Sequence, residues 1–290
     1  MLSSMKPYRN PNIVSIEEAL KIINAYVPPK KKIPVEPIEQ KNPIISDGEY
    51  ITLENMACVD ADGNVFESYE RLDVARDIFR SGNAQVSRTP YTHAVHCKEM
   101  GLFLPSFALT CNIVARLYEE RNDPEIERVL QQYKDKGNGF GWHAQNTIID
   151  FGSSKVIHYP SGSDFNQKDP INSSQPRTIL PFVKDSLEDA LLKDALRDAS
   201  SRRFLQQLTG LHEPEILIEI GKYFGEPAKV WFPWNGKAGK SFNETRATWF
   251  GCFGASFSLG ADDDLDIADA ARGVRRRSGE RSEPGAGGAK

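Results

Sequence analysis

The chain has 290 residues, 39% of them hydrophobic and 26% charged, with a formal net charge of −4. That supplies enough apolar material for one large domain or two modest ones, and its weakly acidic balance excludes the basic footprint of general nucleic-acid or anionic-membrane binding. Apolar runs such as LFLPSFALTCNIV are too short and interrupted to span a bilayer, the N-terminal MLSSMKPYRNPN has no apolar core of a secretory signal, and four cysteines without a CxxC pair (Cys58, Cys97, Cys111, Cys252) suit free thiols in a reducing setting. A soluble globular protein is expected, without signal peptide or transmembrane segment.

Residues 1–48 read as an arm and linker. Ser15-Ile-Glu-Glu18 is a capping-box start to a short helix with Ile16, Leu20, Ile23 and Tyr26 on one face. The Pro- and Lys-rich VPPKKKIPVEPIEQKNP then predicts an extended, polyproline-like stretch. The body, residues 49–277, opens with EYITLENMACVDADGNVFESYERL, two strands around an Asp62-Gly63-Asn64 turn. Asp60, Asp62 and Asn64 alternate like the oxygen ligands of an EF-hand loop. Val65 stands where that loop needs glycine, and Arg71 where it needs a bidentate glutamate, so a hairpin turn is expected instead.

SYERLDVARDIFRSG has helical spacing and a stop at Gly82, and PSFALTCNIVARLYEERN predicts a second helix. Asp123 and Pro124 cap and open a third, running to Gly137. NTIIDF and KVIHYP read as strands, Leu187–Leu208 as one amphipathic helix, and Pro214 to Gly225 as another. The period then shortens: AKVWFPW, RATWFGCF, SFSLGA and AARGVRR are strand-like and separated by turn residues, giving an α+β body with an antiparallel β unit at its end. The tail, residues 278–290, is of low complexity and expected to be disordered.

Catalytic signatures are scarce. His93, His96 and Cys97 form the best metal-like cluster, but zinc needs a fourth ligand and paired spacings, so a structural or solvent-facing role is favoured. No GxSxG elbow, Walker A loop or GxGxxG loop occurs. The Asp262–Asp264 run fails the EF-hand template, with Ile267 at the glycine position and Gly273 at the glutamate position. No catalytic residue, metal ligand or cofactor is assigned.

Arg246–Arg275 departs from the rest of the chain in composition. Phe250 through Asp269 holds no Lys, Glu, Gln, Met or Trp, and consists of Gly, Ala, Ser, Cys, Phe and Asp interrupted by spaced apolar residues. The pattern R-A-x-x-F-x-x-x-x-x-x-F-x-L-x-x-x-x-x-L, followed by A-A-R-G-V-R, resembles the variable region of diversity-generating retroelement target proteins. It is most similar to those of archaea and their viruses, which have a C-type lectin-like fold. GWHAQNT, VIHYPSG, a long helix, a helix ending KYFG and then VWFPW follow in the same order, so the resemblance spans roughly residues 70–276. In such systems an error-prone reverse transcriptase replaces template adenines, and AAY codons become NNY codons that cannot encode Lys, Glu, Gln, Met or Trp. Trp249 lies outside that rule and fits a template AGG.

Strand alternation then divides the stretch. Phe250, Phe257, Leu259 and Leu265 are spaced to enter the core, whereas Trp249, Gly251, Phe253, Ser258, Gly260 and Asp262–Asp264 are expected outside or in loops. A patch mixing aromatics, glycine and carboxylates is suited to adaptable recognition. The expected ligand-binding residues are Thr248, Trp249, Gly251, Cys252, Phe253, Gly254, Ser256, Ser258, Gly260, Ala261, Asp262, Asp263, Asp264, Asp266, Ala268 and Asp269. AARGVRR is expected as a fixed closing strand, with Arg272 and Arg275 beside acidic neighbours. The resemblance implies a non-enzymatic protein, cytoplasmic or virion-associated, whose partner is a macromolecule (a surface protein or a glycan) rather than nucleic acid or membrane. Two alternatives stand: an enzyme on a formylglycine-generating-enzyme-like fold using Cys252 with His143 or His158 as base, and a virion or assembly protein whose Pro-rich arm mediates oligomer contacts.

Overall fold

The computed structural model describes residues 45–46, 49–81, 84–85, 87–134, 141–160, 176–182, 190–231, 245–253, 256–263, 265 and 271–276. The chain divides into two units, Met1–Asn42 and Pro43–Lys290, and every described residue belongs to the second. The expected arm helix, its linker and the low-complexity tail lie outside the described residues.

The strands are β1 (Ile45–Ser46), β2 (Tyr50–Val59), β3 (Val65–Ala75), β4 (Arg80–Ser81), β5 (Ala84–Gln85), β6 (Gly141–Asp150), β7 (Lys155–His158), β8 (Thr178–Pro181), β9 (Ala190–Leu191), β10 (Ala228–Trp231), β11 (Thr245–Phe253), β12 (Ser256–Asp263) and β13 (Val274–Arg276). The helices are α1 (Pro90–Glu99), α2 (Phe107–Glu119), α3 (Pro124–Gln131), α4 (Leu192–Ala195), α5 (Ala199–Thr209) and α6 (Ile216–Tyr223). The class is α+β, as expected.

The β2–β3 hairpin forms around the expected turn, and its side chains explain why. Asp60 accepts from the Asp62 and Asn64 amides at 2.9 and 2.8 Å, and Gly63 supplies the positive φ of 82° that the turn needs. Asp62 forms a two-pronged pair with Arg203 at 2.7 and 2.8 Å, which with the hydrogen bond holds its carboxyl below the usual range. These oxygens build a turn and a surface ion pair.

Two expected helices are corrected. The first half of SYERLDVARDIFRSG is strand β3, because its pairing with β2 from Tyr50↔Ala75 to Val59↔Val65 outweighs local helical spacing. Leu187–Leu208 is not one helix: β9 and α4 precede a break, and Asp198 restarts α5 by accepting from the Ser201 amide at 2.8 Å. THAVHC, left without an element, lies on α1, which Thr89 caps and Pro90 opens. α2 and α3 lie within the segments read as helical, whereas α6 opens at Ile216, two residues beyond Pro214. Ser106 caps α2, accepting from the Leu109 amide at 3.0 Å, and Asp123 caps α3, which ends at Gln131 rather than Gly137.

Seven strands form one sheet in the order β8-β7-β6-β11-β12-β10-β9, and four form another in the order β1-β2-β3-β13. β11 and β12 are the expected antiparallel hairpin. β10 runs parallel to β12, so the C-terminal β unit is mixed. AARGVRR does supply a closing strand, but β13 leaves the large sheet and pairs with β3. Helices α2–α6 cover the inner face of the large sheet, where Phe107, Leu117, Phe204 and Phe224 meet Phe250, Phe257 and Leu259, while α1 packs into two smaller clusters through Tyr91, Ala94 and Cys97. All four cysteines are buried thiols outside any disulfide, and no described helix is long and apolar enough to cross a membrane.

Candidate ligand-binding face

β11 is a central strand, hydrogen-bonded to β6 on one edge and β12 on the other. Cross-strand partners share a sheet face, so the register alone sorts the side chains into rows. On the helix-covered face, Val230, Leu259, Phe250 and His143 form one row, and Ala228, Phe257, Cys252 and Gly141 the next. On the opposite face the rows are Trp231, Gly260, Trp249, Ala144 and Lys229, Ser258, Gly251.

The expected frame holds at three positions. Phe250, Phe257 and Leu259 are fully buried, and the Phe250 ring packs edge-on to Phe257 at 5.1 Å, Tyr133 at 5.8 Å and Phe107 at 6.1 Å. Leu265 differs: it is half-buried and packs with Tyr91 against Ile148, Ile157 and Tyr159, a separate cluster. Arg275 meets the expected acidic neighbour, donating to Asp73 at 3.1 Å while lying 3.8 Å from the Tyr50 ring. Arg272 is near enough to Asp77 for their charges to act on each other, but its hydrogen bonds go to the Ala75 carbonyl and to Gln132 Oε1 at 2.8 Å, with its guanidinium 5.1 Å from the Tyr133 ring. Both fix the C-terminal segment to the body.

The displayed set is corrected in its exposure. Thr248 (1%), Trp249 (3%), Ser256 (2%) and Ser258 (0%) are buried, as are Gly251 and Gly260. Cys252 is on the helix-covered face, inside the main apolar cluster. Composition alone misleads here, because small hydroxyl-bearing residues suit an adaptable surface and a close-packed strand equally. Pairing of the hydroxyls decides it. Trp231 Nε1 donates to Ser258 Oγ at 3.1 Å, Ser258 and Ser256 hydroxyls meet at 3.2 Å, and Thr248 donates to the Thr147 carbonyl at 3.1 Å.

Phe253, Ala261, Asp262 and Asp263 belong to the hairpin strands by backbone, so Asp262 and Asp263 extend β12 rather than a loop. Gly254, Asp264, Asp266, Ala268 and Asp269 lie outside the described residues. Sequence reading missed the contribution of β10: Trp231 and Lys229, both half-buried, share the face with Trp249 and Ser258, and the Lys229 ammonium is 5.7 Å from the Trp231 ring. The VWFPW segment signals an aromatic strand, but only the parallel register shows that it adjoins β12.

The histidines are held by separate partners, although His93 lies near enough to His143 for its charge to bear on that ring. His93 is buried and stacked on Phe79 at 5.8 Å, and His96 is 3.6 Å from Glu99. His158 is held by Thr147 and Gln207 and stacks on Phe66 at 5.2 Å. His143 packs against Tyr133 at 4.6 Å, and burial, reinforced by the nearby Arg272 charge, pushes its pKa down to about 3. Cys252 and His143 share the helix-covered face on adjacent strands, one row apart. Among the described residues no three His, Cys, Asp or Glu side chains gather as a metal site would require. Neither protein-family models, curated proteins nor solved structures yield a match to this chain.

Proposed function

We propose that this chain is a non-enzymatic ligand-binding protein with a C-type lectin-like fold, whose variable residues between Thr248 and Asp269 are diversified by a retroelement. One observation carries the proposal. The stretch from Phe250 to Asp269 lacks the five residue types that NNY codons cannot encode, and its apolar positions Phe250, Phe257 and Leu259 point into the core while Gly251, Ser258 and Gly260 lie on the other face. Burial divides the binding set by role. Thr248, Trp249, Gly251, Ser256, Ser258 and Gly260 form a floor. The contacts are assigned to Phe253 and Ala261–Asp263 at the ends of the two strands and to Gly254, Asp264, Asp266, Ala268 and Asp269, which lie outside the described residues. Cys252 belongs to the core and leaves the set. The ligand is a macromolecule, and the aspartates select a basic or polar epitope, tuning association rate more than affinity.

Sequencing the DNA that flanks the gene tests this. A near-identical repeat differing chiefly at adenines, beside a reverse-transcriptase frame, is expected, and its absence overturns the proposal. The enzyme alternative is the weaker one. Cysteine catalysis needs a thiol that substrate reaches, and Cys252 is 3% exposed within an apolar cluster, with His143 wedged against Tyr133.

A further inference from the structure

Trp249 and Gly260 face each other across the β11–β12 ladder, and the indole occupies the space where a side chain at position 260 would stand. A Cβ built on Gly260 would lie 1.8 Å from Trp249 Cε2, 2.0 Å from Nε1 and 2.4 Å from Cζ2. Those distances are far inside van der Waals contact, and Trp249 is only 3% exposed. The clash is therefore with a rigid, packed ring rather than the free end of a flexible chain. Glycine at 260 is a condition for the indole to lie flat across its neighbour strand. On the other edge of β12, Gly260 faces Trp231, which is half-buried and donates to Ser258.

We propose that residues 249 and 260 act as one specificity-determining pair: the residue at 260 sets whether the Trp249 indole lies in the floor or stands out from it. The proposal rests on the ligand-binding role of this face, in which both positions belong to the replaceable set. With glycine at 260 the indole is folded down, the Ser256 and Ser258 hydroxyls stay buried, and the face offers the half-buried Trp231 ring and Lys229 ammonium to polar groups. Any larger residue at 260 lifts the indole beside Trp231 and creates a two-ring surface that takes a planar, apolar group. A single codon change at 260 thus alters the chemistry of a site two strands wide. The pair also restricts diversity, since tryptophan at 249 is compatible with its buried position only when 260 is glycine.

Fluorine NMR on protein labelled with 5-fluorotryptophan at its four tryptophans tests the coupling. The Trp249 resonance is identified by its loss in Trp249→Phe. In the parent protein it should show no solvent isotope shift, as befits a buried ring. In Gly260→Ser it should move and acquire the shift of an exposed indole, while thermal unfolding stays cooperative. A Trp249 resonance that stays buried and unmoved in Gly260→Ser overturns the proposal. So does a Gly260→Ser protein that fails to fold while Trp249→Ala/Gly260→Ser folds, because the indole then has no second position to occupy. Absence of a flanking template repeat overturns only the retroelement origin and leaves these spectra unchanged, so the two failures are separable.

Discussion

Acidification from pH 7 to pH 4 tests the polar pin that His158 forms between the large sheet and the helices. The Phe107 amide donates to Thr147 Oγ1 at 2.9 Å, the Thr147 hydroxyl donates to His158 Nδ1 at 2.9 Å, and His158 Nε2–H donates to the Gln207 carbonyl at 2.9 Å. The carbonyl fixes the tautomer, so the chain is complete only with a neutral ring. Burial accordingly holds the His158 pKa down at about 4, against 6.5 in the unfolded chain. A folded pKa below the unfolded one means that the unfolded state takes the proton first. The stabilisation is full above pH 6.5 and is lost as pH falls from there to about 4. A gap of about 2.5 pH units at about 1.4 kcal/mol each amounts to about 3.5 kcal/mol. Urea denaturation of the parent and of His158→Gln across this range measures it. Glutamine keeps an N–H for Gln207 but cannot titrate, and subtracting the two curves removes the carboxylates common to both. The variant should be less stable by about 1–2 kcal/mol at pH 7, for the lost acceptor of the Thr147 hydroxyl. Near pH 4 that deficit should vanish or reverse. A constant offset from pH 7 to pH 4 would refute the reasoning.

Three further outcomes are expected. Phe250→Ala should cost about 3–5 kcal/mol in urea denaturation, because the ring is fully buried among Phe107, Tyr133 and Phe257, whereas Ser258→Ala should cost about 1 kcal/mol for its hydrogen bond from Trp231. Asp60→Ala should lower stability by about 1 kcal/mol through loss of the turn bonds from the Asp62 and Asn64 amides, and calcium should leave the melting temperature of the parent protein unchanged. Cys252→Ala should leave binding of a selected ligand unaltered in surface plasmon resonance; loss of binding with an unchanged melting temperature would return Cys252 to the site.

Most of what positions the candidate site was legible locally. Caps at Ser106 and Asp123, the Asp60–Asn64 turn and the four terminal strand segments are short-range chemistry, and each appears where the residues place it. The failures share a cause, which is that pairing partners distant in sequence override local pattern. Ser68 to Ala75 carries helical spacing, yet β2 captures it as a strand. Leu265 belongs by alternation to the core, yet Ile148, Ile157 and Tyr159 capture it in another cluster. The floor of the face was partly legible. Alternation separated Phe250, Phe257 and Leu259 from Trp249, Ser258 and Gly260, and the register confirms that division. Their burial was not legible, because it depends on β11 being central and on hydroxyl partners such as Trp231 and Thr147 that lie far away in the chain.

A central strand is a physically sensible mount for residues that are to be replaced. β11 is held through its backbone on both edges, by β6 and by β12, and backbone hydrogen bonds are indifferent to the side chain that faces away from the core. Its inward face is tied independently, through Phe250 to Phe107 and Tyr133. A substitution on the outward face therefore disturbs chiefly its cross-strand neighbours, an effect of about 0.2–1 kcal/mol for an ordinary pair. That is small against a domain stability of about 5–15 kcal/mol, so many sequences fit one frame. The Trp249–Gly260 pair is the exception, because there the neighbour's side-chain space is already filled. Change at Ser258 is a matter of two hydrogen bonds, to Trp231 and Ser256; change at Gly260 rearranges a ring. The face is thus uneven in its freedom, and its least free position is the one that exerts most control over its shape.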